Sequence, residues 1–577
     1  MFHVEQFLYF YNYLLNSGFV ITNKKSCLIT NTQMNKSYHV EGVILDPINR
    51  KTIVGRIYVN NGIIERIEER KISTKNFILP GFVDSHIHIE SSMLTPAEFS
   101  RIAIKHGTVA VVADPHEIAN VAGVKGIDFM IRDAKRGKMK FFFGAPSCVP
   151  ASPYDDCCQV LDSNKIEELL GRDDIYFLGE MMNFPGVIMK DSDVQKKIEA
   201  AKKQNKKIDG HAPGLSKENL VKYINAGIST DHECSSLKEA KEKIKLGMKV
   251  LIREGSAAKN FSNLHKLIKN NSANVMLCTD DCHPDDLIKG HINIKVKKAL
   301  DLGYDIFDIL QIASVNPIRH YGIKVGLLQE GDPADFIVIN NLKELKVVST
   351  YIDGEKIINE KINLKNQNNY KHVNYTFPTS ISAKQIKLKN GGGKINTIKV
   401  VDGELLTEKE LLTPKVEEGY IESDINRDLL KIVVVNRYKP KEISIGLIKG
   451  FGLKKGAISE SIAHDSHHII AVGCDDISIL KSIEYVIENR GGICYFDGKN
   501  FLGLPLKAYG LMSFDSAEQV AKSYHRINSK IVSNGCKLKS PFMTLSFMAL
   551  TVIPKLKISP RGLFDVEQFK FIELFSK

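Results

Sequence analysis

The chain has 577 residues, of which 43% are hydrophobic and 25% charged, a globular balance with enough apolar material for two or three domains. Its net charge of +12 comes from scattered lysines, and no stretch interleaves basic with aromatic residues, so we expect neither a nucleic-acid nor a membrane partner. The 10 cysteines include no Cys-x-x-Cys pair, which argues against a disulfide framework or zinc ribbon and is typical of a cytoplasmic protein with reduced thiols.

The chain begins with a predicted N-terminal extension, residues 1–35, whose apolar run from Phe7 to Leu15 is too short to span a bilayer. Residues 36–76 then alternate as short strands, with a hairpin turn at Asn61-Gly62. A similar β pattern returns at Ala334 to Ile339 and around Asp353-Gly354. We therefore predict one small β domain, formed by residues 36–76 together with 323–362.

The insertion between these two parts, residues 77–322, contains eight short apolar runs separated by helix-like sequence. Strands that alternate with helices indicate a parallel sheet, and eight such units in about 250 residues predict a (β/α)8 barrel of the TIM type. The runs are Ile78 to Val83, Val109 to Ala113, Phe141 to Gly144, Ile175 to Gly179, Lys207 to Asp209, Ala226 to Ser229, Val250 to Ile252 and Val275 to Cys278.

Most of these runs end in a residue that can bind a metal or carry a proton. His86 and His88 follow the first run, and alternate residues of a strand point to the same face, so both imidazoles can converge on one ion. Later strand ends add Glu180, His211, His232 and Asp280. Because the active sites of such barrels lie at the carboxyl ends of the strands, we predict a metal centre with enough ligands for two ions.

Beyond the barrel, a connector rich in Lys and Asn runs from about residue 342 to Tyr370 and leads into a C-terminal α+β domain, residues 370–577. Its predicted strands are Ile398 to Val401, Leu430 to Val435 and His468 to Val472, and a helix covers Ser478 to Glu488. The predicted fold class is α/β, with the barrel inserted in the small β domain and followed by this further domain.

Several motifs resemble a known family. Gly81-Phe82-Val83-Asp84-Ser85-His86-Ile87-His88, Thr279-Asp280-Asp281 and Gly331-Asp332-Pro333-Ala334-Asp335 resemble the signature of the metal-dependent amidohydrolase superfamily. Five narrower stretches resemble the bacterial and archaeal adenine deaminases, and the resemblance covers about residues 40 to 575. These stretches are 113–120, 179–183, 210–214, 230–233 and 461–468.

The resemblance implies a cytoplasmic enzyme of purine salvage that hydrolyses adenine to hypoxanthine and ammonia, with a homo-oligomer, preferably a dimer, as the assembly. It also implies two divalent ions, manganese or iron rather than zinc, that activate the attacking hydroxide. The superfamily pattern assigns His86, His88 and Asp280 to one ion and His211 and His232 to the other, with Glu180 as the bridge. The assignment of each ligand to one ion stays open.

The same pattern suggests how protons move during the reaction. Asp280 would take the proton of the attacking hydroxide, and either Glu180 or Glu233 would protonate a ring nitrogen. His116 would pass a proton to the departing ammonia, unless it is a hydrogen-bonded loop residue. Asp281 and His283 either orient a metal ligand or cap the following helix.

Two alternatives to this function are kept. A cyclic amidohydrolase related to allantoinase or dihydroorotase would typically bridge its metals with a carboxylated lysine, whereas Glu180 stands at that position. A catalytically inactive scaffold would lack ligands, and all six are present. The tract from His464 to His468 has no role in either scheme. A further metal site is conceivable there, but we favour a loop over the barrel mouth or an interface.

Overall fold

A computed structural model describes residues 37–256, 258–357 and 376–576. The predicted N-terminal extension and the second half of the predicted connector lie outside these residues. Within the described part, no helix combines the length and the apolar character needed to cross a membrane.

A seven-stranded sheet joins the two segments that flank the barrel. Asn61 and Gly62 form its predicted hairpin turn with positive φ angles of 49° and 85°, the backbone that a two-residue turn requires. In spatial order its strands are Glu355–Ile357, Val347–Ile352, Phe336–Ile339, Phe77–Pro80, Ser37–Asp46, Lys51–Asn60 and Ile63–Glu69. The division of the chain into domains stays a prediction.

The barrel closes through its first and last strands. The eighth strand continues after Thr279 as Asp280–Asp281, which pairs in parallel with the first strand, Asp280 opposite Ile87 and Asp281 opposite His88. The predicted barrel is therefore confirmed. Its strands are Phe82–His88, Thr108–Ala113, Lys140–Ala145, Ile175–Met181, Lys207–Gly210, Thr230–Asp231, Lys249–Arg253 and Val275–Cys278.

Three sequence predictions about strands are wrong. Ile78 to Val83 is not one strand, because Phe77–Pro80 pairs in the seven-stranded sheet and the barrel begins at Phe82. The chain passes from one sheet to the other at Gly81. A Cβ at this position would lie 2.3 Å from the Val109 side chain, so only glycine fits without a shift. Ala226 to Ser229 is the turn after a helix, with the strand at Thr230–Asp231. The start of the connector at about residue 342 is also wrong, because residues 347–352 and 355–357 are strands, as the β pattern around Asp353-Gly354 predicted.

Helices surround the barrel strands. Many start at a side chain that accepts a hydrogen bond from the first turn, as Asp162 does from the Lys165 amide. The helices are Pro96–Ala103, His116–Ala134, Ser163–Leu170, Phe184–Ile188, Ser192–Lys203, Lys217–Asn225, Leu237–Lys245, Phe261–Leu264, Leu267–Asn271, Pro284–Leu287, Ile292–Asp301, Ile306–Leu310 and Asn316–Tyr321.

The C-terminal region packs a large sheet against the barrel through a continuous apolar core, in which the Phe129 and Tyr509 rings lie 5.2 Å apart. Its predicted strands and helix are present. The main sheet contains Lys394–Val400, Thr407–Leu412, Leu429–Val435, Ile443–Lys449, Ala457–Glu460, Ile469–Gly473, Gly492–Phe496, Phe501–Pro505 and Phe575–Ser576. Smaller sheets contain Leu388–Lys389, Lys415–Glu417, Tyr420–Glu422, Leu556–Ser559, Gly562–Asp565 and Lys570–Ile572, and the helices are Asp476–Glu488, Ala517–Ser533 and Pro541–Ser546.

Candidate metal centre

The six predicted ligands meet at the carboxyl end of the barrel. The Nε2 atoms of His86 and His88 lie 3.2 Å apart, and the Asp280 Oδ1 lies 3.5 Å and 3.1 Å from them. Two imidazole lone pairs and a carboxylate that face one another in a buried space repel one another unless a cation or a proton lies between them. The donor set therefore fits a divalent ion.

Glu180 joins this group to the two remaining histidines. Its Oε1 lies 3.2 Å from His88 Nε2, while its Oε2 lies 2.8 Å from His211 Nδ1 and 3.2 Å from His232 Nε2. Each oxygen of one carboxylate thus faces a different set of imidazoles, the arrangement expected of a group that bridges two ions. Several three-residue groups of this cluster have the ligand spacing of a metal site.

Buried neighbours fix the orientation of these ligands. The backbone carbonyl oxygen of Asp114 lies 3.0 Å from His88 Nδ1. The Asp114 side chain accepts a hydrogen bond from the Glu180 amide at its Oδ2, over 2.8 Å. When Nδ1 donates to a carbonyl, Nε2 of the same ring keeps its lone pair for a metal. Asp280 itself adopts a left-handed backbone with φ of 59°, a conformation that costs about 1–3 kcal/mol and is typical of functional sites.

A buried salt bridge connects Asp231, the residue before His232, to Lys243 at the end of the helix Leu237–Lys245. Asp231 accepts from the Ala212 amide at 2.8 Å and from Lys243 Nζ at 3.0 Å. Because Ala212 follows His211 and Asp231 precedes His232, this pair of contacts ties the fifth and sixth strand ends together. The two histidines that complete the cluster are therefore held by their immediate sequence neighbours.

Arg253 is a site residue that the sequence analysis missed. Its Nη1 donates to the Asp280 Oδ2 at 2.7 Å, and its guanidinium forms a two-pronged ion pair with Glu233, one prong of which measures 3.1 Å. Burial by itself raises the pKa of Glu233, but the charges of Arg253, His211 and His232 together lower the pKa below its usual value. Arg253 ends the seventh barrel strand, so the strand-end reasoning that found the other residues could have found it.

His116 begins a helix rather than lying in a loop. Its Nδ1 lies 3.5 Å from the Glu180 Oε1, and its Nε2 lies 3.6 Å from Glu117 and 3.8 Å from Asp465. The ring is thus in contact range of the barrel centre on one side and of the C-terminal region on the other. Glu117 and Asp465 were not predicted as site residues.

Asp281 and His283 do not match either predicted role. Asp281 accepts a hydrogen bond from Ser91 at 2.6 Å, and the His283 ring packs against Tyr524 at 5.1 Å. His283 precedes the helix Pro284–Leu287 without a side-chain cap. Among the contacts of the described residues, neither side chain hydrogen-bonds to a predicted ligand.

The cluster faces a pocket that the C-terminal region roofs. The floor carries the histidines, Glu233 and Arg253, whereas the roof is mainly apolar. A site that is charged below and apolar above is suited to a flat, uncharged ring with polar edges. The roof residues are Leu405, Phe547, Leu550, Val552 and Ile553, with His464 and Asp465 at one side.

The predicted loop around His464 lies over the barrel mouth. His464 Nδ1 is paired with the Glu117 Oε1, and both side chains are buried. This contact joins residues 347 positions apart, so no local pattern could have shown it.

Two regions of the chain match family models. Residues 77–357 match the amidohydrolase family, and residues 404–570 match the adenine deaminase C-terminal domain. An adenine deaminase of Methanosarcina mazei is 50% identical over 548 residues, which cover 93% of this chain and 99% of that protein. An adenine deaminase of Borreliella burgdorferi is 45% identical over 544 residues, with the same two coverages.

Proposed function

The chain belongs to the adenine deaminase family, and on this premise we propose that it hydrolyses adenine to hypoxanthine and ammonia. The observation that carries the proposal is the position of Glu180, which presents one oxygen to His88 and the other to His211 and His232. A glutamate in that place supports a deaminase rather than a cyclic amidohydrolase, for which a carboxylated lysine is expected.

The centre would hold two divalent ions, with manganese or iron favoured by the family resemblance. His86, His88 and Asp280 would serve one ion and His211 and His232 the other, with Glu180 between them. When bound, such ions lower the pKa of a coordinated water toward about 7 and so supply a nucleophile near neutral pH.

Asp280 is proposed as the base that removes the proton of the attacking oxygen. One of its oxygens faces the imidazoles of the first strand, and the other accepts from Arg253 at 2.7 Å. Burial by itself raises the pKa of Asp280, but Arg253 and the neighbouring histidines outweigh this effect and hold the pKa well below its usual value, which keeps the group ionised.

Glu233 is proposed as the group that protonates the ring nitrogen. Both oxygens of Glu180 face imidazoles, whereas in Glu233, which lines the cavity, the Oε1 lies 3.7 Å from His211 Nδ1 and 3.4 Å from His232 Nε2 and the Oε2 accepts from Arg253 at 3.1 Å. The first proton that water loses would pass to the ring nitrogen through Glu233, and the proton that Asp280 removes from the attacking oxygen would leave with the amine. The sum is adenine plus water giving hypoxanthine plus ammonia.

His116 is proposed as the carrier of the second proton. Its Nδ1 faces the Glu180 side of the cavity, while its Nε2 lies near the carboxylates of Glu117, the next residue of its own helix, and of Asp465 from the C-terminal region. His116 Nδ1 would then face the departing amine and could give it a proton. The apolar roof would cover the purine face and exclude bulk water from the reacting carbon.

The test is an ultraviolet assay of adenine with protein loaded with manganese or iron, beside a His86→Ala, His88→Ala variant. We expect the wild type to form hypoxanthine and the variant to lose activity together with bound metal. Wild-type protein that binds metal and leaves adenine unchanged would refute the proposal and direct the search to cyclic amides.

A further inference from the structure

A second group of metal-type side chains lies next to the barrel centre, at the contact between the barrel and the C-terminal region. Glu117 comes from the first turn of the helix His116–Ala134, and His464, Asp465 and His467 come from the turn between two strands of the main C-terminal sheet. All four are more than nine-tenths buried, with exposures of 1%, 8%, 6% and 2% in that order.

The donor atoms of this group converge. His464 Nδ1 is paired with the Glu117 Oε1 and lies 3.8 Å from the Asp465 Oδ1, while His467 Nε2 lies against the Glu117 Oε2. Donor atoms that each stand about 2.0–2.2 Å from one ion are roughly 3 to 4 Å from one another. Small movements of these side chains would therefore place two nitrogens and two carboxylates around a single cation.

Two of these buried atoms make no hydrogen bond. Among the described residues, the Asp465 Oδ2 and the His467 Nδ1 lack a hydrogen-bond partner. An unsatisfied buried polar group destabilises the folded state. His467 also has a left-handed backbone, with φ of 54°, which is costly outside glycine and is typical of functional turns.

We propose that Glu117, Asp465, His464 and His467 bind a third divalent cation, of the manganese, iron or zinc class. Two imidazoles with two carboxylates form a donor set that accommodates any of these ions. The ion satisfies the unpartnered lone pairs and compensates the two carboxylates. Because its ligands come from both the barrel and the C-terminal region, the ion also crosslinks the C-terminal region to the barrel mouth.

The site is distinct from the barrel centre, and the inference does not depend on the deamination reaction. His116 lies between the two clusters, with Nδ1 toward Glu180 and Nε2 toward Glu117 and Asp465. The two sites lie at different positions, so locating the bound ions tests each metal proposal separately.

The first experiment is anomalous diffraction from wild-type crystals equilibrated with MnCl2, with data collected at the manganese edge. We expect a peak enclosed by the four side chains, in addition to density at the barrel centre. Peaks in the barrel without one at Glu117 overturn this inference and leave the proposed function intact. A peak at Glu117 without barrel peaks supports the inference and contradicts the proposed catalytic metal centre.

The second experiment counts manganese per chain by mass spectrometry after loading and gel filtration. The variant His464→Asn, His467→Gln should bind about one equivalent less than the wild type. His468→Asn is the matched control, because His468 only accepts the Arg437 amide hydrogen at 3.1 Å and an Asn oxygen can replace that acceptor. Equal manganese contents in the wild type and the double variant overturn the inference, as does an equal loss in the control.

Thermal unfolding of each variant checks that the fold is retained. If the double variant does not fold, the diffraction experiment on wild-type protein decides alone. Its result does not require any substitution.

Discussion

Replacing Arg253 by lysine tests whether its fork organises the catalytic carboxylates. The guanidinium donates to both oxygens of Glu233 and to one oxygen of Asp280. A lysine keeps the positive charge, but its compact ammonium cannot span both carboxylates in the same plane. The substitution therefore retains the positive charge but removes the hydrogen bonds that join the two carboxylates through one planar group.

The expected loss follows from these three contacts. Hydrogen bonds to charged groups contribute about 1.5–3 kcal/mol each, and lysine can replace only one of them. If the other two are lost, about 3–6 kcal/mol is at stake before water and side-chain relaxation recover part of it. Since 1.36 kcal/mol corresponds to tenfold in rate, we expect kcat/KM for adenine to fall by about 100-fold or more.

The assay is steady-state conversion of adenine, with manganese content measured on the same samples. Arg172→Lys is a matched control, because Arg172 forms a similar fork with Asp174 and Asp128 on the surface, where ion pairs contribute little. The control should stay within about twofold of wild type. An Arg253→Lys enzyme with full metal content and near-wild-type kcat/KM would refute the role given to the fork.

Three further outcomes are expected. His86→Ala, His88→Ala should lower both bound manganese and kcat, the latter by about 1,000-fold or more, and unchanged metal content would contradict the ligand assignment. Lys243→Met should destabilise the fold by about 3–5 kcal/mol in denaturant unfolding, because it strands a buried carboxylate, whereas exposed Lys241→Met should not. Burial lowers the pKa of Lys557 to about 7, so between that pH and the usual lysine pKa the unfolded chain binds more protons than the native one. Wild-type stability should therefore rise with pH across this window by up to roughly 1.4 kcal/mol per unit relative to Lys557→Met, and parallel pH profiles would contradict this.

The barrel could be predicted from the sequence because its strands and helices repeat locally. Each short apolar run followed by a helix-like segment is a complete unit, and closure of the barrel brings all strand ends to one mouth. His86, His88, Glu180, His211 and Asp280 could therefore be grouped before any distance was known.

Where local patterns are ambiguous, the sequence misled. A fully buried strand of an open sheet and one of a barrel have the same apolar composition, so the segment from Ile78 to Val83 was predicted as one strand although Gly81 divides it between two sheets. Likewise, the Lys- and Asn-rich composition after residue 342 favoured a connector, although residues 347–352 and 355–357 are strands that pair with each other and with the nearby strand Phe336–Ile339.

The amino-acid sequence by itself determined the repeating barrel units and the candidate metal ligands at their ends, since both follow from local spacing along the chain. Only the tertiary structure decided that Arg253 forms ion pairs with Glu233 and Asp280. The same holds for the contacts of His464 and His467 with Glu117. The physical reason is that a side-chain contact between distant segments is set by how whole sheets pack, and no local periodicity encodes it.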